Sequence, residues 1–215
     1  MGKVFSGIVG SSEQNMRQVF KVVESVAPCI LWCDEIDKGM SGGRSSGHTD
    51  GGTTSRVLGS WLTWMQEKTA PVFVVATAND VSNLPPELLR KGRFDEIFFV
   101  DLPNENEREK IFEIHLKQRN RDYKKFDLGL LVKESQNFTG AEIESSIEAA
   151  MYEAFSDNKR DIQTKDILLS LKNSVPIAII MREEIDALRR WASERARSAS
   201  ISQTFARPSY DEDDL

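Results

Sequence analysis

The chain is poor in the residues that build most small reactive centres. Of its 215 residues, two are cysteine and two are histidine. Two cysteines, Cys29 and Cys33, exclude a disulfide framework and a four-thiolate zinc site. His48 and His115 lie far apart and carry no metal-ligand spacing around them. Long apolar runs are missing as well: no stretch approaches the roughly 20 residues that a membrane-spanning helix needs, so no membrane partner is expected. Basic charge is in deficit, with 28 Lys and Arg against 34 Asp and Glu and a net charge of −6. Sequence-independent nucleic-acid binding draws on a surplus of Lys and Arg, so nucleic acid is not the expected partner either. What is present, 40% hydrophobic and 29% charged residues, suffices for a buried core. The length suits one ordinary domain with a small companion.

Hydrophobic periodicity divides the chain in two. Residues 12–25 place Met16, Val19, Phe20 and Val23 at helical spacing, and Pro28 closes the helix. Cys29-Ile30-Leu31-Trp32-Cys33 and Val72-Phe73-Val74-Val75-Ala76 are short continuous apolar runs, the pattern of strands buried on both faces. Residues 39–55 are rich in Gly, Ser and Thr and are expected to be a loop, followed by a helix over 55–67. Pro85-Pro86-Glu87-Leu88-Leu89 is expected to open a short helix, and 97–100 to form a third strand. Strands alternating with helices indicate a parallel α/β sheet. Beyond residue 103, helices are expected over 104–119, 127–135, 140–157, 164–173 and 181–196. Thr139 and Glu142 have capping-box spacing for the third of these. The organisation expected is therefore an α/β unit over 1–103, a helical unit over 104–197 and a disordered acidic tail over 198–215.

Three short segments carry the chemistry. The strand ending Cys33-Asp34-Glu35 puts two adjacent acids at a strand's C-terminal end. The first carboxylate there is suited to magnesium, held through water, and the second to polarising an attacking water. The strand ending Ala76-Thr77-Ala78-Asn79 supplies an amide that suits orienting the same water. Leu89-Arg90-Lys91-Gly92-Arg93-Phe94 places two arginines around a glycine, and arginine is preferred where phosphate is gripped bidentately. Each segment alone is ordinary. Their order is not: 45 residues separate Asp34 from Asn79, and Arg90 and Arg93 follow 11 and 14 residues later.

With Phe138-Thr139-Gly140-Ala141-Glu142-Ile143 further on, this order resembles that of the AAA family of ATPases over about 1–175. Within the family the wording LTWMQEKTAPVFVVATAND and LPPELLRKGRFDEIFF is similar to one subgroup, the chloroplast-reading-frame AAA proteins of algal plastids and cyanobacteria. The resemblance implies ATP and Mg²⁺ as cofactors. It implies Asp34 and Glu35 as the Walker B pair, Asp34 organising magnesium through water and Glu35 activating water. It implies Asn79 as the first sensor, Arg90 and Arg93 as arginine fingers reaching a neighbouring subunit, and Gly140 and Ala141 as the small pair that lets a helix approach the nucleotide. The implied activity is ATP hydrolysis that remodels a partner protein. The implied assembly is a ring, hexameric in the family, of this chain with itself or with full-length subunits. The implied setting is the plastid stroma or cyanobacterial cytoplasm.

The lysine-bearing phosphate loop of that family, G-x-x-x-x-G-K-[ST] ahead of Walker B, has no counterpart in these 215 residues. Gly42 to Thr49 mimics its glycine spacing but places His48 where the lysine belongs. That loop better matches the family's second pore loop, and Ile8-Val9-Gly10 the first. The fold class expected is thus an incomplete P-loop NTPase sheet without its first two strands, followed by an α-helical lid. The chain is expected to be the C-terminal portion of a longer ATPase, with sheet edges left open and no hydrolysis on its own. The alternative is a truncated, non-hydrolysing subunit that regulates full-length ones.

Overall fold

The computed structural model describes residues 11–40, 51–90 and 92–200. The two expected pore-loop segments and the tail beyond residue 200 lie outside the described residues. The chain divides into two units, the first ending at Ile97 and the second beginning at Phe98, ahead of the boundary expected at 103.

The first unit is built around two parallel strands. Helix α1 (Ser11–Ser25) leads into β1 (Cys29–Cys33), then α2 (Ile36–Met40), α3 (Gly51–Glu67) and β2 (Val72–Ala76). Parallel neighbours need a long crossover, which α2 and α3 provide. Cys29 pairs with Val72 and the register runs to Cys33 opposite Ala76, so both strands end side by side. One sheet face packs against α1 and α3, around Met16, Phe20, Val57, Trp61 and Trp64. Phe20 stacks on Trp64 with ring centroids 4.3 Å apart, and both Phe20 and Trp64 meet Trp61 edge-on. Such pairs add about 0.5–1.5 kcal/mol beyond their buried area. The tryptophans thus belong to the core, as their helical spacing suggests. Cys33 is buried on this face and burial pushes its thiol up to about 11, so it is protonated and inert at neutral pH.

The other sheet face departs from expectation. The apolar runs predict strands covered on both sides, yet Ile30, Trp32 and Phe73 are 70%, 62% and 68% exposed. Among the described residues each strand also has a single partner. Parallel sheets are normally covered on both faces; among the described residues this face stays bare and each strand keeps one unpaired edge. Two local expectations also fail. Helix α3 begins at Gly51, inside the segment read as a loop. The Pro85–Leu89 stretch forms turns, with the Leu88 N–H donating to Pro85 O and the Leu89 N–H to Pro86 O.

The second unit is mostly helical: α4 (Glu105–Gln118), α5 (Leu128–Glu134), α6 (Gly140–Ser156), α7 (Thr164–Lys172), α8 (Ile177–Ile180) and α9 (Arg182–Arg195). Its core joins Phe112, Leu116, Leu131, Phe138, Ile143, Ile147 and Ile167. Asn104 with Glu107, and Thr139 with Glu142, close capping boxes at the starts of α4 and α6. The expected third strand is only β3 (Phe98–Phe99), and it pairs in parallel with β4 (Arg197–Ser198). The helical unit is therefore tied off by a strand, and Ser198 belongs to it rather than to a tail. Arg189 holds Asp101 through three hydrogen bonds, Nε to Oδ1 and Oδ2 at 3.1 and 2.9 Å and Nη2 to Oδ1 at 2.8 Å. No helix among the described residues is long and apolar enough to cross a membrane.

Arg160 fixes the start of α7. Its Nη1 and Nη2 donate to Asp166 Oδ2 and Oδ1 at 2.6 and 2.9 Å, and the Gln163 N–H adds a third bond to that carboxylate. The hydrogen bonds from Arg160, opposed by burial, hold the Asp166 carboxyl below its usual range. A carboxyl depressed on folding stabilises the fold fully above its unfolded value, about 3.9. That contribution disappears as pH falls through the lower folded value. In a thermal-unfolding series from pH 7 to 2, Asp166→Asn should start less stable and show a flatter acid limb than the unsubstituted chain.

Candidate functional site

The shared end of β1 and β2 gathers the acids and the amide. Thr77 follows β2 directly, and its N–H donates to Cys33 O at 2.9 Å while its carbonyl accepts from the Ile36 N–H at 2.9 Å. These bonds continue the strand pairing one step past the sheet. They bring Asp34 and Glu35 against the segment 77–80. The Thr77 hydroxyl donates to Asp34 Oδ1 at 2.6 Å and accepts from the Glu35 N–H at 2.9 Å. Asn79 Nδ2 donates to Glu35 Oε1 at 3.2 Å. So Asp34, Glu35 and Asn79 form one hydrogen-bonded cluster at the carboxyl end of a parallel sheet, where open α/β sheets place their ligands.

Glu35 has a φ of +50°, a left-handed conformation that costs a non-glycine residue about 1 kcal/mol. Lys38, one helical turn on, donates from Nζ to Glu35 Oε1 at 2.6 Å across exposed surface. Such a pair contributes little in water. Behind the cluster Asp37 is buried, its Oδ2 accepts from the Asp80 N–H at 3.2 Å, and its Oδ1 has no partner among the described residues. Thr77 and Asp37 escape the sequence reading. Their only signal there is position, one residue past a strand and three past the first acid.

The donor set bears on magnesium. No group of three His, Cys, Asp or Glu side chains among the described residues could hold a metal alone. Asp34 is an exposed carboxylate with one oxygen engaged by Thr77. A single hard oxygen donor fits an ion that keeps most of its waters and takes its other ligands from phosphate, as magnesium does.

The remaining expected residues lie on other elements, the arginines on a turn of the first unit and the small pair in the second unit. Arg90 is exposed and Arg93 half-buried, on the turn around Gly92, whose φ of +88° only glycine adopts without strain. Neither arginine forms an ion pair among the described residues, and Arg93 Nε is buried without a partner there. Gly140 and Ala141 open α6 in the second unit. A methyl group added at Gly140 would meet only Ile111 Cδ1, at an ordinary 3.6 Å, so internal packing does not require glycine there. Beside Gly140 lies a groove of about 1000 Å³, lined by Phe99, Leu102, Ile111, Thr139 and Leu188 among others.

Residues 1–102 match the family described as ATPase family associated with various cellular activities (AAA). The chain is 52% identical over 204 residues to a protein of Pyropia yezoensis named "Uncharacterized AAA domain-containing protein ycf46", covering 94% of this chain and 41% of that protein. Proteins of the same name from Guillardia theta and Gracilaria tenuistipitata var. liui are also 52% identical, over 194 and 202 residues. They are covered to 38% and 40% of their lengths and cover 90% and 93% of this chain. The chain thus spans about two-fifths of the length of the curated relatives it matches.

Proposed function

We propose, from the premise that residues 1–102 of this chain belong to the AAA family, that the chain supplies the hydrolytic half of an ATPase site. The family implies the P-loop NTPase α/β fold, and its members generally bind ATP with magnesium and assemble into oligomers. The observation that carries the reading is the single hydrogen-bonded cluster of Asp34, Glu35 and Asn79 at the paired strand ends. Asp34 would hold the hydrated magnesium of the nucleotide, which would supply charge stabilisation at the phosphates. Glu35 draws a proton from the attacking water, and Asn79, bonded to the Glu35 carboxylate, orients that water. Arg90 and Arg93, free of ion pairs among the described residues, point to phosphate on a neighbouring subunit.

The apolar groove beside Gly140 suits the flat base of the nucleotide, and the small pair Gly140 and Ala141 permits its close approach. The unfinished sheet supports completion by a further segment carrying the lysine-bearing loop. That segment would cover Ile30, Trp32 and Phe73 and pair the open edges. Hydrolysis would then drive remodelling of a partner protein in a plastid or cyanobacterial setting.

The test joins this chain to the part of the Pyropia yezoensis relative that precedes the matched region. The joined protein should hydrolyse ATP and the 215-residue chain should not. No turnover by a folded, oligomeric joined protein would overturn the reading.

A further inference from the structure

We propose that Thr77 is the positioning residue of this site: its one hydroxyl holds the Asp34 carboxylate and the Glu35 backbone together, fixing where the two adjacent acids point. The inference rests on the reading of Asp34 and Glu35 as the hydrolytic pair.

Thr77 makes four hydrogen bonds to the segment 33–36. Its backbone takes two, with Cys33 O and the Ile36 N–H, and its hydroxyl takes two, with Asp34 Oδ1 and the Glu35 N–H. The backbone pair only extends the strand register, and any residue at this position could form it. The hydroxyl pair is specific. It needs a group that donates and accepts from the same atom, carried directly on Cβ, which limits the position to Thr or Ser.

The direction of each bond carries the function. Donation to Asp34 Oδ1 occupies one carboxylate oxygen and orients the other. Acceptance from the Glu35 N–H fixes the peptide plane between the two acids. Neighbouring residues on a continuing strand would point to opposite faces. At Glu35 the chain instead turns into a left-handed conformation, φ +50°, and the side chain reaches Asn79 Nδ2. A non-glycine residue persists there only where surrounding bonds over-determine it. The Thr77 hydroxyl, the Ile36 N–H bond to Thr77 O and the Asn79 amide are those bonds. Lys38 also touches the Glu35 carboxylate, but across exposed surface, where such a pair fixes little.

The substitution that isolates the hydroxyl is Thr77→Val, which keeps the branched shape and both backbone bonds. Thr77→Ser keeps the hydroxyl and is the control. Hydrogen exchange at the Glu35 amide can be read in the 215-residue chain without nucleotide. Loss of the acceptor should speed it by about tenfold in Thr77→Val, while Thr77→Ser stays near the unsubstituted rate. In the joined protein Thr77→Val should lower kcat by roughly 10–100-fold, the size usual for groups that orient a site's ligands. KM should hold steady and Thr77→Ser should restore most of kcat. Equal kcat in Thr77→Val and the unsubstituted protein would overturn the proposal. So would an unchanged Glu35 amide, or a serine variant as impaired as valine. Glu35→Gln in the same assay separates the two levels. If it leaves turnover intact, the hydrolytic reading fails and takes the role of Thr77 with it. If it stops turnover while Thr77→Val does not, only the Thr77 proposal fails.

Discussion

Glu35→Gln in the joined protein should cut ATP turnover by roughly 10²–10⁴-fold, the usual worth of a positioned general base, while ATP remains bound. The amide is close in shape to the carboxylate and retains an oxygen able to accept from Asn79 Nδ2, the contact now at 3.2 Å. What it loses is the capacity to take a proton from water. On the proposed reading ATP binding would not pass through Glu35, because the phosphate loop would come from the joined segment and Asp34 is untouched. Single-turnover kinetics beside an equilibrium titration separates the two quantities. Unchanged hydrolysis would remove Glu35 from the role of base. Loss of binding together with hydrolysis would mean that the substitution had disrupted the strand ends themselves.

Arg93→Ala should lower turnover by roughly 10³–10⁵-fold, the range for an arginine supplied to a transferring phosphoryl group. Activity should return in part when the variant is mixed with Glu35→Gln subunits. The two lesions then lie on different chains, and a boundary between one intact acid pair and one intact arginine exists only in mixed assemblies. The local structure suits this use. Gly92 turns the backbone through φ +88°, Arg90 is exposed, and neither Arg90 nor Arg93 is spent on an ion pair among the described residues. An arginine serving its own subunit's fold would leave no activity to restore. No restoration at any mixing ratio would therefore place Arg93 in its own subunit's architecture rather than at a boundary.

Much of the α/β character and the helical second unit was legible in the sequence, for a physical reason. Apolar runs such as Cys29–Cys33 and Val72–Ala76, and the Thr139–Glu142 cap, are local signals whose meaning does not depend on distant residues. The Asp34, Glu35 and Asn79 spacing was legible as well, because strand ends in a parallel pair fall together once the strands are placed. What escaped the reading depends on register or on long-range partners. The Thr77 hydroxyl matters only because Cys33 sits opposite Ala76. The Arg189 pair with Asp101 joins residues 88 apart, and nothing local distinguishes that arginine from its solvated neighbours. Strand β4 has two residues and exists only because β3 lies beside it, which no periodicity reveals. The bare face of Ile30, Trp32 and Phe73 misled in the other direction. Their composition reports the environment a strand is made for, and the described residues supply only half of that environment.

The most direct measurement is a titration of Mg-ATP into the 215-residue chain and, in parallel, into the same chain joined to the preceding segment of the Pyropia yezoensis relative. The joined protein should bind saturably, within the roughly 1 μM–1 mM range common for enzyme substrates, and the chain alone should not bind. Tight binding by the chain alone would show that these residues hold phosphate without a lysine-bearing loop, and would contradict the division of the site on which the account rests.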